Sequence, residues 1–247
     1  MPECKQRVLL LSHTPDAQAL IALGARLCYA GGNVDKLMEK VSRQDQQAFL
    51  EKLMGMGHES VLEHVSFTFL IEGVSRVLLA QLTRHRIASF SVQSQRYVSY
   101  KDGFGYVVPP AIAALGEDAA AEYRGQMAQM QQWYENWQER LGAAGEKSNE
   151  DARFVLPNAC ETRMVITMNA RELMHFFSLR CCNRAQWEIR ALAWEMLRLA
   201  EKAAPTLFKN SGPGCIRGKC PEGKMSCGQA EQVRAYREAL QCTSKKQ

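Results

Sequence analysis

The sequence predicts an α+β protein in which a mixed or antiparallel sheet is flanked by helices and carries no Rossmann turn. Two segments alternate with the period of a strand, SFTFLIEG at 66–73 and TRMVITMN at 162–169. Several longer segments carry apolar residues at helical spacing. The two kinds of segment do not alternate strictly, as a βαβ array would require.

The elements follow in order. Pro15 after Thr14 opens a helix whose Ala19, Leu20, Leu23 and Leu27 recur at helical spacing up to Gly31-Gly32. A second helix is expected from about Asp35 to Met54, ending at Gly55 and Gly57. The first strand, 66–73, sets Phe67, Phe69 and Ile71 against Ser66, Thr68 and Leu70, and a helix over 74–83 delivers the chain to Arg84. Short extended pieces broken by Gly103 and Gly105 come next, then one long helix over 111–142. Ser148 is expected to cap a short helix that stops before Pro157. Asn169 with Glu172 three residues on is a capping-box pattern, starting a helix to about Cys182, and a last helix spans 185–203. From Pro205 onward the chain is rich in Gly, Lys and Cys, which reads as a flexible extension, so the domains are expected at 1–205 and 206–247.

At 247 residues with 46% hydrophobic residues, the chain can bury an enzyme-sized core. A net charge of +5 suits small anionic ligands at least as well as nucleic acid. The apolar run near the N-terminus, Val8 to Leu11, is too short for a signal core or a membrane span, and the nine cysteines then imply reduced thiols or a metal site in place of a disulfide framework. A cytoplasmic protein without a membrane partner is expected.

RHRIASFSVQSQRY, residues 84–97, concentrates Arg84, His85, Arg86 and Arg96 among Ser and Gln donors. Such a stretch repels itself unless an anion or carboxylates neutralise it. The segment 169–190 adds Arg171, His175, Arg180, Arg184 and Arg190, on or between helices, which read either as a cationic wall facing a pocket or as a core helix with solvated arginines paired with Glu172 and Glu188. GHESVLEH at 57–64 fails as a zinc-protease motif because Leu62 stands where the second His belongs. GPGCIRGKC at 212–220 fails as a phosphate loop at Pro213 and Cys220. Cys215, Cys220 and Cys227 lack a close CxxC pair, and Cys242 or another subunit would have to complete a zinc set, so no metal is expected.

Arg84-His85-Arg86, seven residues and then Ser94 match the signature of the flavin-dependent thymidylate synthases. GHES at 57–60, NAREL at 169–173, and Leu179-Arg180 followed by AQWEI at 185–189 also resemble that family, over roughly residues 12–205. The resemblance implies a homotetramer with active sites shared between subunits, binding FAD without a Rossmann motif. It implies conversion of dUMP to dTMP with 5,10-methylenetetrahydrofolate and NADPH as co-substrates. By the same resemblance Ser60, Arg84, His85, Arg86, Ile87, Asn169, Arg171 and His175 are flavin contacts. Gln81, Arg84, Gln93, Ser94, Gln95, Arg96, Arg153 and Arg180 are the dUMP set, with Arg180 the catalytic residue at the uracil ring. Val92 departs from the polar residue that relatives often carry there. Two alternatives use the same residues differently. A nucleotide- or RNA-binding module without catalysis would stack bases on Tyr97 and Tyr100, and a cysteine-dependent synthase would rest on Cys160.

Overall fold

The computed structural model describes residues 1–244. Its fold is α+β, as the patterning predicts. The strands β1 (Arg7–His13), β2 (Ser66–Ser75), β3 (Ala88–Val92) and β4 (Glu161–Asn169) form one sheet in the order β1-β2-β4-β3. Strand β2 runs antiparallel to β4, since Arg76 N bonds to Cys160 O at one end and Ala170 N to Val65 O at the other. Phe67, Phe69 and Ile71 are fully buried, as their alternation requires.

Two compact units emerge, and all four strands contribute residues to both. The first comprises residues 1–7, 70–84 and 90–165. It contains α4 (Arg76–Leu82), α5 (Pro110–Ala113), α6 (Glu117–Arg140) and α7 (Glu146–Ala152). Its core gathers Tyr100, Phe104, Tyr106, Met127, Tyr134 and Cys160. The second comprises residues 8–69, 85–89 and 166 onward. It contains α1 (Ala17–Leu27), α2 (Val34–Ser42), α3 (Gln47–Gly55), α8 (Ala170–Arg180), α9 (Trp187–Ala203), α10 (Pro205–Phe208) and α11 (Ala230–Ser244). Here Phe67 and Phe177 each meet Phe208 edge-on, at 5.2 and 5.8 Å between ring centres.

Several expectations are corrected. The helix expected over 35–54 is two, because Gln46 is buried and its amide donates to Val41 O and Gln44 O, while Asp45 accepts from the backbone N–H of Gln47. The long helix expected over 111–142 breaks at Gly116, whose φ of 106° is open to glycine and strained for other residues. Ser148 lies inside α7, where its hydroxyl donates to Leu141 O and accepts from Ala144 N; it is not the cap. Two strands went unread. In β1 the unbroken Val8-Leu9-Leu10-Leu11 hides the alternation, and in β3 the charges of the neighbouring arginines obscure a clean Ala-Ser-Phe-Ser-Val alternation.

The extension beyond residue 205 is also structured, contrary to the flexible reading. Helix α11 packs on α9, and Trp194 meets Tyr236 edge-on at 4.9 Å. Arg237, 4% exposed, holds Glu201 through two bonds of 2.7 and 2.8 Å and also donates to Ser211 O and Phe208 O. Composition concealed this because the anchor is polar and fully hydrogen-bonded, which a low apolar content cannot reveal. Residues 245–247 of the extension lie outside the described residues.

Candidate active site

In the second unit, β4 ends at Asn169, whose side-chain oxygen accepts from the backbone N–H of Glu172 and starts α8. That cap sets the phase of the helix. Glu172 is buried and accepts a hydrogen bond from His85 Nδ1 at 3.0 Å. On its other side His85 Nε2 accepts from Arg180 Nε at 3.1 Å. His85 is 5% exposed and packs edge-on against Phe176 at 5.0 Å. Burial depresses its pKa against the opposing pull of the Glu172 hydrogen bond, and the Arg180 charge depresses it further. A neutral imidazole is also the form that can accept from a guanidinium.

A cavity of about 570 Å3 opens beside this chain of contacts. Its lining includes Ile87, Asn169, Arg171, His175, Ser178 and Arg217, with Glu59 and Glu63. Arg171 pairs with Glu63 at 2.5 Å and approaches Glu59 at 3.7 Å, so its partners are these acids and not Glu172. Guanidinium and imidazole groups suit phosphate oxygens, the carboxylates suit hydroxyl groups, and Ile87 with Met174 supplies apolar surface. This donor set fits a ligand such as FAD, which carries a diphosphate, a polyol and a planar ring. Ser60, exposed at the start of a 3-10 turn, does not line the cavity, and His85 is buried.

The other set of expected residues falls in the first unit. Arg96 pairs with Glu146 at 2.8 Å and Glu150 at 3.1 Å, which α7 places one turn apart, and Asn149 donates to the Arg96 carbonyl. Arg153 donates to Glu150 O at 3.0 Å, and the Ser94 hydroxyl accepts from Arg96 N. Gln95 donates to Cys160 Sγ, Gln93 O accepts from Arg76, and Gln81 donates to Val77 O within α4. Carboxylates thus answer for Arg96. Arg84 and Arg86 are exposed and have no ion pair among the described residues.

Sequence reasoning missed Arg76, whose guanidinium reaches the 93–96 turn. Its only signal was a lone charge in the apolar run Val74 to Leu79. Glu59 and Glu63 were likewise missed as partners of Arg171. Cys160 is fully buried, and burial pushes its thiol up to about 11, so it is protonated at neutral pH. Tyr100 is 9% exposed inside a core and is closed to base stacking, whereas Tyr97 is exposed beneath the Arg96 guanidinium. The stacking pair required by an RNA-binding module is therefore not available.

The family described as "Thymidylate synthase complementing protein" matches residues 9–206. A flavin-dependent thymidylate synthase of Geobacter sulfurreducens is 56% identical, over 94% of this chain and 98% of its own length. One of Clostridium tetani is 48% identical over 92% of this chain and 95% of its own. In fold, the chain resembles the crystal structure of the UMP/dUMP methylase PolB from Streptomyces cacaoi bound with 5-Br dUMP. That likeness has a TM-score of 0.66 at 24% identity, over 84% of this chain and 94% of the other. The protein is therefore an enzyme of the thymidylate synthase class with no Rossmann motif. It belongs to the flavin-dependent thymidylate synthase family.

Proposed function

We propose that the chain methylates dUMP to dTMP, taking the one-carbon unit from 5,10-methylenetetrahydrofolate and reducing equivalents from NADPH through bound FAD. The observation that carries this reading is the cavity in the second unit. Ile87, Asn169, Arg171 and His175, assigned to the flavin by the family signature, come from two distant segments and line one space. Ser60, Arg84, His85 and Arg86 complete the proposed cofactor set. When bound, FAD supplies the hydride chemistry.

The chain's own residues supply orientation and charge. Arg84, Arg96 and Arg153, with Gln81, Gln93, Ser94 and Gln95, are proposed to hold dUMP, the guanidinium groups taking its phosphate. Exposed, unpaired Arg84 favours this role, while Arg96 would exchange its carboxylate partners for the phosphate. Carbon 5 of uracil is a weak nucleophile, so negative charge spreading onto the ring must be stabilised as the new bond forms. Arg180 is the proposed stabiliser, a role whose loss costs on the order of 3 kcal/mol in barrier. His85 orients the guanidinium plane by holding its Nε edge. Neither Ser94 nor Cys160 serves as nucleophile in this scheme.

A homotetramer with shared active sites is part of the proposal, and exposed Leu9 and Leu11 on one face of the edge strand β1 offer apolar surface for contact between copies. A cytoplasmic enzyme is proposed; no helix among the described residues is long and apolar enough to cross a membrane. Residues 1–205 are proposed as the catalytic region and 206–247 as its extension, with no nucleic-acid or membrane partner. Absorbance spectroscopy tests the cofactor assignment. The purified chain should be yellow, or become so with FAD, and dUMP should perturb the flavin spectrum. A protein that stays colourless after incubation with FAD and removal of unbound cofactor would refute it.

A further inference from the structure

The extension brings three thiols to a fourth from its own unit. Cys215, Cys220 and Cys227 meet Cys182, which follows α8, around one small cavity of about 10 Å3. That is the room of a single ion. Each of the four is a free thiol.

The backbone explains how spacings of five and seven converge. Gly212, Gly218, Gly223 and Gly228 all adopt positive φ, of 137°, 155°, 53° and 73°, and turn the chain back repeatedly. A Cβ at Gly214 would lie 2.7 Å from Pro221 Cγ, so the loop closes on itself there. Asn183 donates to Cys227 Sγ at 3.8 Å, an N–H···S contact of the kind that surrounds metal thiolates. Arg234 donates to Cys215 O and Gly218 O, which places a cation beside a site that becomes anionic when its thiols ionise.

We propose that Cys182, Cys215, Cys220 and Cys227 form a tetrathiolate site for a structural zinc ion. The fourth ligand is thus Cys182, which lies far from the tail in sequence, and not Cys242, which is exposed on α11. This reverses the expectation of no metal. Among the described residues no group of three or more His, Cys, Asp or Glu side chains is placed to hold a metal ion as it stands, so zinc binding requires the four sulfurs to close to about 2.3 Å from the ion. Binding releases the four thiol protons and leaves zinc redox-silent. The ion ties a segment poor in buried apolar residues to α8, as staples do in small folds. It also fixes the short turn Gly214–Arg217, whose Arg217 lines the larger cavity.

The test is independent of catalysis. The full chain, purified without a metal-binding tag and kept reduced, is analysed for metals by mass spectrometry, and its cobalt(II) form by absorbance. One zinc per chain is expected, with cobalt–thiolate charge-transfer bands of four-sulfur intensity. Cys182→Ser and Cys220→Ser should lose the zinc and lower the thermal midpoint, while Cys242→Ser keeps both. The proposal is overturned by reduced wild-type protein that holds no zinc after incubation with zinc chloride, or by stoichiometric iron with sulfide. Zinc retained in folded Cys182→Ser would overturn it as well. Should the Ser variants not fold, the wild-type cobalt spectrum decides alone.

Discussion

Arg180 Nε donates to His85 Nε2 at 3.1 Å, and this single bond fixes which imidazole nitrogen carries the proton. Nε2 must be the acceptor, so the proton sits on Nδ1 and is donated to Glu172. The buried imidazole is thereby a positioning group between a carboxylate and the guanidinium proposed to act on uracil. His85→Leu keeps apolar packing against Phe176 but removes the acceptor. Its turnover should fall by about 100-fold, the scale of a misplacement near 1 Å, with a much smaller change in KM for dUMP. His85→Gln, which can still accept from Arg180, should recover part of the loss. Equal turnover in His85→Leu and wild type would remove His85 from the mechanism.

The depressed pKa of His85 has a pH consequence whose sign is fixed. Below the ordinary value of about 6.5, the unfolded chain takes up a proton that the native imidazole refuses. Stability from this group is complete above that value and declines as pH falls through it toward the lower native pKa. Thermal midpoints measured from pH 8 to 5 should fall more steeply in wild type than in His85→Gln. Parallel curves would show that His85 is not the titrating group.

Cys160 separates flavin chemistry from attack by a protein thiol. With its thiol raised to about 11 by burial, it offers almost no thiolate at neutral pH. Cys160→Ala should retain turnover within about 5-fold, since a small cavity is its main cost. A folded, flavin-loaded Cys160→Ala that is inactive would favour the cysteine-dependent route.

The sequence discloses these features unevenly. Strand β2, the Asn169 cap and the helix over 170–180 were legible because alternation and capping are local codes. Strand β1 was not, since an edge strand with Leu9 and Leu11 exposed has no alternation to read. At the site, the residues around Arg84 and Asn169 stood out by motif. The Glu172–His85–Arg180 chain did not, because its members lie 87 and 95 residues apart and only the tertiary fold joins them. The Arg237–Glu201 anchor is hidden for the same reason.

That anchor predicts a stability effect away from the site. Removing one partner strands a buried charge, which typically costs about 3 to 5 kcal/mol. Glu201→Ala should lower the thermal midpoint by roughly 10 °C, and increase the exposure of Trp194, which Tyr236 now covers. Thermal melts with quenching of tryptophan fluorescence measure both. An unchanged midpoint would mean that α11 is held by other contacts.

The most direct measurement is an anaerobic assay of the flavin-loaded chain with dUMP, 5,10-methylenetetrahydrofolate and NADPH, following dTMP and the flavin spectrum together. Wild type should bleach the flavin with NADPH, then reoxidise it without oxygen only when both dUMP and the folate are present, forming one dTMP for each flavin reoxidised. Arg180→Ala should bleach but form little dTMP. Synthesis of dTMP at undiminished rate with the flavin removed would contradict the account.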